Sequence, residues 1–420
     1  MLVRDLHHFG RVAALATGML LAGAALADES PKIGTFVLAS EADYLATPPA
    51  LRAFVFRHMD EVENNPTRQV RHGDHLRELP VGAPVDVKVA IQGRQESIDS
   101  FMDRYGIASL VVVKDGVIRA ERYQYGNKPS SRMVVQSVTK SITSTALAVA
   151  LKEGKIGSLD EMVTKYVPEL AGTAYGSVTI RDVADMVPGV QPSEASAEQA
   201  RDLRRKAYYS PNRNAVLDLL ATYKTYAKPG EAYAYADINY YVISLLLTRA
   251  VGKPLSEYVS EKIWKPAGME YDAYMRLTHA GQEDGHGGMA MTALDMARFG
   301  LFVLDTFQGK GGPNVPSGWF AGIAQARPDR HGVRVPGRIA AVPGFGYELG
   351  WWTLPRGGSS YQLGDDGGFA ALGFYGQAIY VVPGQNVVAI LQSASTVHAP
   401  ELFARGRELV TAIVQTLKQN

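Results

Sequence analysis

The chain has 420 residues, 46% hydrophobic and 20% charged, a globular composition long enough for one large domain or two ordinary ones. Lys and Arg total 43 against 42 Asp and Glu, a formal charge of +1, with no basic stripe or acidic tail, which argues against nucleic acid as a partner. There is no cysteine, so disulfides and a lipid-bearing N-terminal cysteine are excluded.

Residues 1–27 read as a secretory signal. Arg4 and Arg11 supply positive charge, and residues 12–26 form an apolar run too short to span a bilayer comfortably. Ala25-Leu26-Ala27 has the A-x-A form of a cleavage site. The mature chain is expected to begin at Asp28, with no stable membrane anchor, in the periplasm or outside the cell. Residues 28–94 bear Pro, Arg and His with weak periodicity, and read as an N-terminal arm. Residues 96–105 suggest a short helix. Residues 108–114 are apolar and β-branched, Asp115-Gly116 is a hairpin turn, and residues 117–125 supply the partner strand. A strand-like run at 133–136 then turns into a helix in which Ile142, Ala146, Val149 and Ala150 recur at helical spacing, stopped by Gly154. From about 156 to 300 the pattern is mainly helical, punctuated by Pro168, Pro188-Gly189, Pro229-Gly230 and Pro266. Residues 349–354, 374–382 and 386–393 read as three more strands. Leu402, Leu409, Val410, Ile413, Val414 and Leu417 make an amphipathic C-terminal helix. The outline is an α/β (α+β) fold: an antiparallel sheet of five strands flanked by helices, with an all-helical region inserted.

The chemistry gathers at two places. Ser137-Val138-Thr139-Lys140 stands where strand becomes helix. Ser137 there meets unpaired peptide N–H groups and a dipole that favours negative charge. Lys140 follows one turn later on the same face, an amine beside a hydroxyl that must lose a proton to attack a carbonyl. A serine three residues before a lysine is a weak signal alone, and its setting gives it weight. The second place is Tyr235 and Asp237, just before an apolar helix ended by Gly252. A phenol near a lysine ammonium should have its pKa lowered toward a useful base. Asp237 beside Lys140 would raise the lysine pKa, though a helix cap is the favoured role for it.

Ser137-x-x-Lys140 followed by Tyr235-x-Asp237 resembles the penicillin-recognising serine hydrolases: class C β-lactamases, D-Ala-D-Ala carboxypeptidases and related esterases. The resemblance covers residues 95–420. Residues 178–183, 263–269 and 295–300 resemble further stretches of that group. Residues 371–380 look most like the 6-aminohexanoate-dimer hydrolase branch, with A-x-G-x-x-G-Q where β-lactamases have Lys-Thr-Gly. The resemblance implies a β-lactamase-like fold, no cofactor, a Ser137 acyl-enzyme served by Lys140 and Tyr235, and a small amide or ester substrate. It implies an oxyanion hole from the N–H groups of Ser137 and Phe374, with Gly373 allowing close approach. Trp351, Trp352, Gln377 and Asp237 are candidates for the pocket. The alternatives are a D-amino acid peptidase or weak β-lactamase acting on cell-wall-related substrates, and, in another class, an inactive binding protein on the same fold. Two departures stand out: the second motif ends in Asp237 where the group has Asn or Ser, and Ala371 replaces the lysine of the third motif. No basic residue lies between Gln362 and Asn386, and Arg356 is the nearest, so neutral substrates are expected over penicillins. His72 with His75, and His279 with His286, lack metal-site spacing. His286-Gly287-Gly288 resembles an H-x-G third motif but precedes residues 295–300, the wrong place for one.

Overall fold

The computed structural model describes residues 47–62, 65–91, 94–193, 196–325, 333–334, 344–396 and 399–419. The expected signal segment and the start at Asp28 lie outside them. Seven strands form the central sheet: β1 (Ile107–Lys114), β2 (Val117–Tyr123), β3 (Gly346–Glu348), β4 (Trp351–Thr353), β5 (Phe369–Gly373), β6 (Gln377–Val382) and β7 (Val387–Ser393). They run in the order β3-β4-β5-β6-β7-β1-β2, every pair antiparallel. Asp115 and Gly116 both have positive φ, 55° and 79°, which suits a two-residue hairpin between twisted strands.

The helices that matter are α1 (Ile98–Tyr105), α2 (Val138–Lys152), α3 (Ala197–Tyr208), α4 (Ile238–Val251), α5 (Ala293–Phe307) and α6 (Ala399–Gln419). Two adjacent tryptophans show how the layers lie, because neighbours on a strand point to opposite faces. Trp351 stacks on Phe299 of α5, with ring centroids 6.1 Å apart, whereas Trp352 meets Phe403 of α6 at 6.5 Å. The sheet is therefore covered on both faces. Between the sheet and the segment inserted after it runs α2, every residue of which from Val138 to Ala150 is buried. Its polar side chains find partners, as burial demands: Ser141 Oγ donates to Gly350 O at 2.7 Å and Thr143 Oγ1 to Gly285 O at 2.8 Å.

The structure corrects three details of the sequence outline. The sheet has seven strands where five were expected: β5 is a five-residue run, Phe-Ala-Ala-Leu-Gly, buried throughout, and so lacks the alternation that marks a half-exposed strand. Residues 374–376, expected as strand, form a tight turn, with Tyr375 at φ 63°. The segment expected to be all helical holds short strands: Val190–Gln191 pairs with Lys224–Thr225, and Ala273–Arg276 with Met289–Met291. Ala273–Arg276 also pairs with Thr67–Val70 of the arm. Arg52, wholly buried, ties the helix Pro49–Arg57 to the body through Ala394 O at 3.2 Å and Ser395 O.

Candidate active site

Gln136, a non-glycine residue, is held at φ 50°, a conformation of the kind that clusters at functional turns. It swings the chain from Met133–Val134 into α2. Val135 N–H donates to Met289 O at 2.9 Å, and Thr139 Oγ1 returns to Gln136 O at 2.7 Å. Ser137 thus stands at the head of α2, partly open to solvent, and its hydroxyl makes no cap. It meets Lys140 Nζ at 2.8 Å.

Lys140 is 1% exposed. Its ammonium also donates to Asp237 Oδ1 and to the backbone oxygen of His286, each at 2.8 Å. Three acceptors thus match the three protons of a charged amine. Burial pulls the Lys140 pKa down, but Asp237 and Tyr235 outweigh it, so the net shift is upward and the side chain stays charged. Asp237 is held well below the usual carboxylate range: burial opposes ionisation, and Lys140, His286 and Arg204 overcome it. Asp237 occupies the N-cap position of α4 but makes no side-chain cap. This corrects the favoured capping role: with a buried ammonium in reach, the carboxylate turns to Lys140.

Tyr235 lies beside this pair, its ring centroid 5.0 Å from Lys140 Nζ and its ionisation influenced by both Lys140 and Ser137. Its pKa is raised, not lowered as expected, because burial outweighs the nearby ammonium. Two rings fix it in place. Trp352 stacks on it at 5.7 Å, and Tyr347 meets it edge-on at 5.6 Å. These rings come from β4 and β3, whose connecting turn is pinned to α2 by Ser141 and Ser144. Gly350 in that turn has φ 81°, and a Cβ there would meet Tyr240 Oη at 2.6 Å and Lys140 O at 2.9 Å. Only glycine fits so close a docking.

Gly373 closes the other side. A Cβ on it would lie 2.4 Å from Val135 O and 3.2 Å from Gln136 Cβ, so the end of β5 abuts the segment that delivers Ser137. Phe374 follows, half-buried, against Tyr375 at 4.4 Å. Two pocket candidates are fully buried, with partners of their own. Trp351 is fully buried against Phe299, Phe320 and Phe369, because alternation along β4 sends it to the face opposite Trp352. Gln377 is fully buried, and its amide clamps the backbone of Ser393, accepting from its N–H at 3.2 Å and donating to its carbonyl. Arg356 donates to Ala324 O at 3.0 Å and lines a cleft with Phe307, Gln325 and Asp365 that none of Ser137, Lys140, Tyr235 or Asp237 borders.

Three contributors escape the sequence reading, and a fourth, His286, enters it only as a metal ligand or a misplaced third motif. His286 belongs to the cluster through its carbonyl, which no side-chain pattern reveals. Its ring lies 3.0 Å from Tyr208 Oη and 2.9 Å from Asp284 Oδ1, and Asp284 in turn pairs with Arg276. Gln136, Tyr347 and Arg204 are placed by the fold alone. His72 pairs with Asp272 at 2.6 Å and His279 packs on Tyr209 at 4.7 Å.

A serine hydroxyl at the head of a buried helix, a lysine one turn on, a tyrosine from the inserted segment and the end of a sheet strand define a serine hydrolase of the β-lactamase/transpeptidase fold. The chain belongs to the Beta-lactamase family, whose family model matches residues 95–412. It is 26% identical over 312 residues to the 6-aminohexanoate-dimer hydrolase of Paenarthrobacter ureafaciens, covering 73% of this chain and 77% of that one. A Bacillus anthracis structure provisionally assigned as a 6-aminohexanoate-dimer hydrolase superposes with TM-score 0.75 at 25% identity, over 90% of this chain and 96% of that one. A class C β-lactamase shares the fold at TM-score 0.55 and 14% identity, over 75% of this chain and 94% of that one.

Proposed function

We propose that this is an exported serine hydrolase that cleaves a linear amide or ester through a Ser137 acyl-enzyme, without a cofactor. One observation carries the reading: the buried Lys140 ammonium spends one of its three protons on Ser137 Oγ and the others on fixed acceptors. A charged lysine is no base. Its role is to hold positive charge against the oxygen that attacks.

The proton then moves through Tyr235. Ser137 Oγ bonds to the substrate carbonyl carbon and gives its proton to Tyr235 Oη. Tyr235 passes its own proton to the departing nitrogen or oxygen as that bond breaks. The tyrosine is neutral before and after, which agrees with its raised pKa. Water reverses the route: its oxygen bonds to the acyl carbon and its proton goes to Tyr235, while Tyr235 returns one to Ser137 Oγ as the Oγ–acyl bond breaks and the acid product leaves. The oxyanion would be met by the N–H groups of Ser137 and Phe374, drawn together by the contact of Gly373 with Val135.

The substrate class draws on the relatives named for a 6-aminohexanoate dimer, a linear amide. Export draws on residues 1–27. The test is labelling by a fluorophosphonate probe, with the adduct mapped to Ser137. Competition by nitrophenyl esters and aminohexanoate-type amides should suppress labelling. A folded protein that never labels would overturn the reading.

A further inference from the structure

Arg204 of α3 is half-buried, its side chain 30% exposed. Its nearest carboxylate oxygen is Asp237 Oδ2, at 4.0 Å, beyond hydrogen-bond reach. The other Asp237 oxygen is already taken by Lys140 at 2.8 Å. Among the described residues the Arg204 guanidinium donates no hydrogen bond. It therefore presents a planar fork of donors, shaped for a carboxylate, unfilled at the edge of the Ser137 cluster. The charges point the same way. Lys140, Arg204 and Arg276 stand against two carboxylates, Asp237 and Asp284. These five groups leave one cation in excess.

We propose that Arg204 receives a carboxylate of the substrate, so that this hydrolase prefers esters or amides bearing an anionic group. The proposal rests on the Ser137 reading above. It reverses the neutral substrate expected from Ala371, because the cation comes from the inserted segment and not from the strand that carries the third motif. The two positions are distinct. Arg204 joins the cluster through Asp237, whereas Gly373 joins it through Val135 and Gln136.

The test uses two matched pairs of esters. One pair is 4-nitrophenyl butyrate and 4-nitrophenyl hemiglutarate, with the carboxylate on the acyl part. The other is phenyl butyrate and 4-carboxyphenyl butyrate, with it on the leaving part. In at least one pair the anionic ester should be favoured about ten- to a hundredfold in kcat/KM, mainly through KM, and less so at high salt. The anionic-to-neutral ratio should fall toward one in Arg204→Gln. Arg204→Lys, which keeps the charge but loses the fork, should lie between. A wild-type ratio near one in both pairs, or an unchanged ratio in Arg204→Gln, overturns the proposal while probe labelling of Ser137 leaves the parent reading standing. No turnover of any ester and no labelling overturns both.

Discussion

In the proposed reaction Lys140 supplies fixed charge and Tyr235 moves the proton. If Ser137 is acylated, Ser137→Ala should lower turnover by about four to six orders of magnitude with folding intact. The check is kcat beside a circular dichroism melt, and near-normal activity in a folded variant contradicts the reading. Tyr235→Phe removes one hydroxyl and should cost on the order of a hundredfold in kcat. Lys140→Ala should be comparably severe and leaves Asp237 without its main partner. The double variant should fall well short of the product of the two losses, because the groups act as one relay. The pH dependence follows from the direction of each shift. The Lys140 pKa is raised, so its contribution to stability is full below 10.5 and is lost as pH rises through the folded value. The Asp237 pKa is lowered, so its contribution is full above 3.8 and is lost as pH falls through the folded value. Tyr235, also raised, stays protonated below its ordinary 10.0. None of the three titrates near neutrality. The kcat/KM profile should show no rise attributable to lysine deprotonation between about pH 6 and 9. A rise across that range, abolished in Lys140→Ala, would identify Lys140 as a free base instead.

At the scale of elements, the end of β5 and the head of α2 are one unit. Gly373→Ala would set a methyl 2.4 Å from Val135 O, a backbone atom that cannot turn aside. The variant should lose about 1–3 kcal/mol of stability and more activity than that loss explains, because the displaced segment carries Ser137. Chemical melts with kcat/KM on the same samples separate the two effects. Ala371, on the same strand, is fully buried opposite Ile379. A lysine there would bury a charge with no partner in view, so Ala371→Lys should destabilise the sheet and not create penicillin turnover. The elements also show what the sequence could disclose. Ser137 and Lys140 were legible because both sit on one helix, where spacing fixes geometry. Tyr235 and Asp237 were legible through their motif, but their states were not: the tyrosine pKa depends on burial that no local spacing reports. Trp351 was misplaced because it faces away from the cluster, and a strand's facing is set by register with its neighbours; Gln377 was misplaced because its buried amide is spent on the backbone of Ser393. Arg204 carries no local signal because it acts across the fold, and the motif at His286 gave no hint that its backbone oxygen takes part.

The whole molecule has no disulfide available, so its stability rests on the layers around α2. For the full chain expressed in a Gram-negative host, the mature product should begin at Asp28 and be recovered from the periplasm. Edman sequencing that finds Met1 on membrane-bound material would count against export. A short linear ester should exceed benzylpenicillin in kcat/KM, and the reverse order would mean the substrate class is wrong.

The three acceptors gathered by Lys140 govern how the protein comes into being. Asp237 and His286 lie 97 and 146 positions along the chain from that lysine. Loops of such length close late, after local structure has formed. The nascent or unfolded chain therefore holds no preassembled nucleophile, and it stays chemically silent wherever it is made. On refolding, secondary structure should return first. Hydrolytic competence should arrive with the slower phase in which Trp352 settles on Tyr235, and its fluorescence would time the birth of the enzyme.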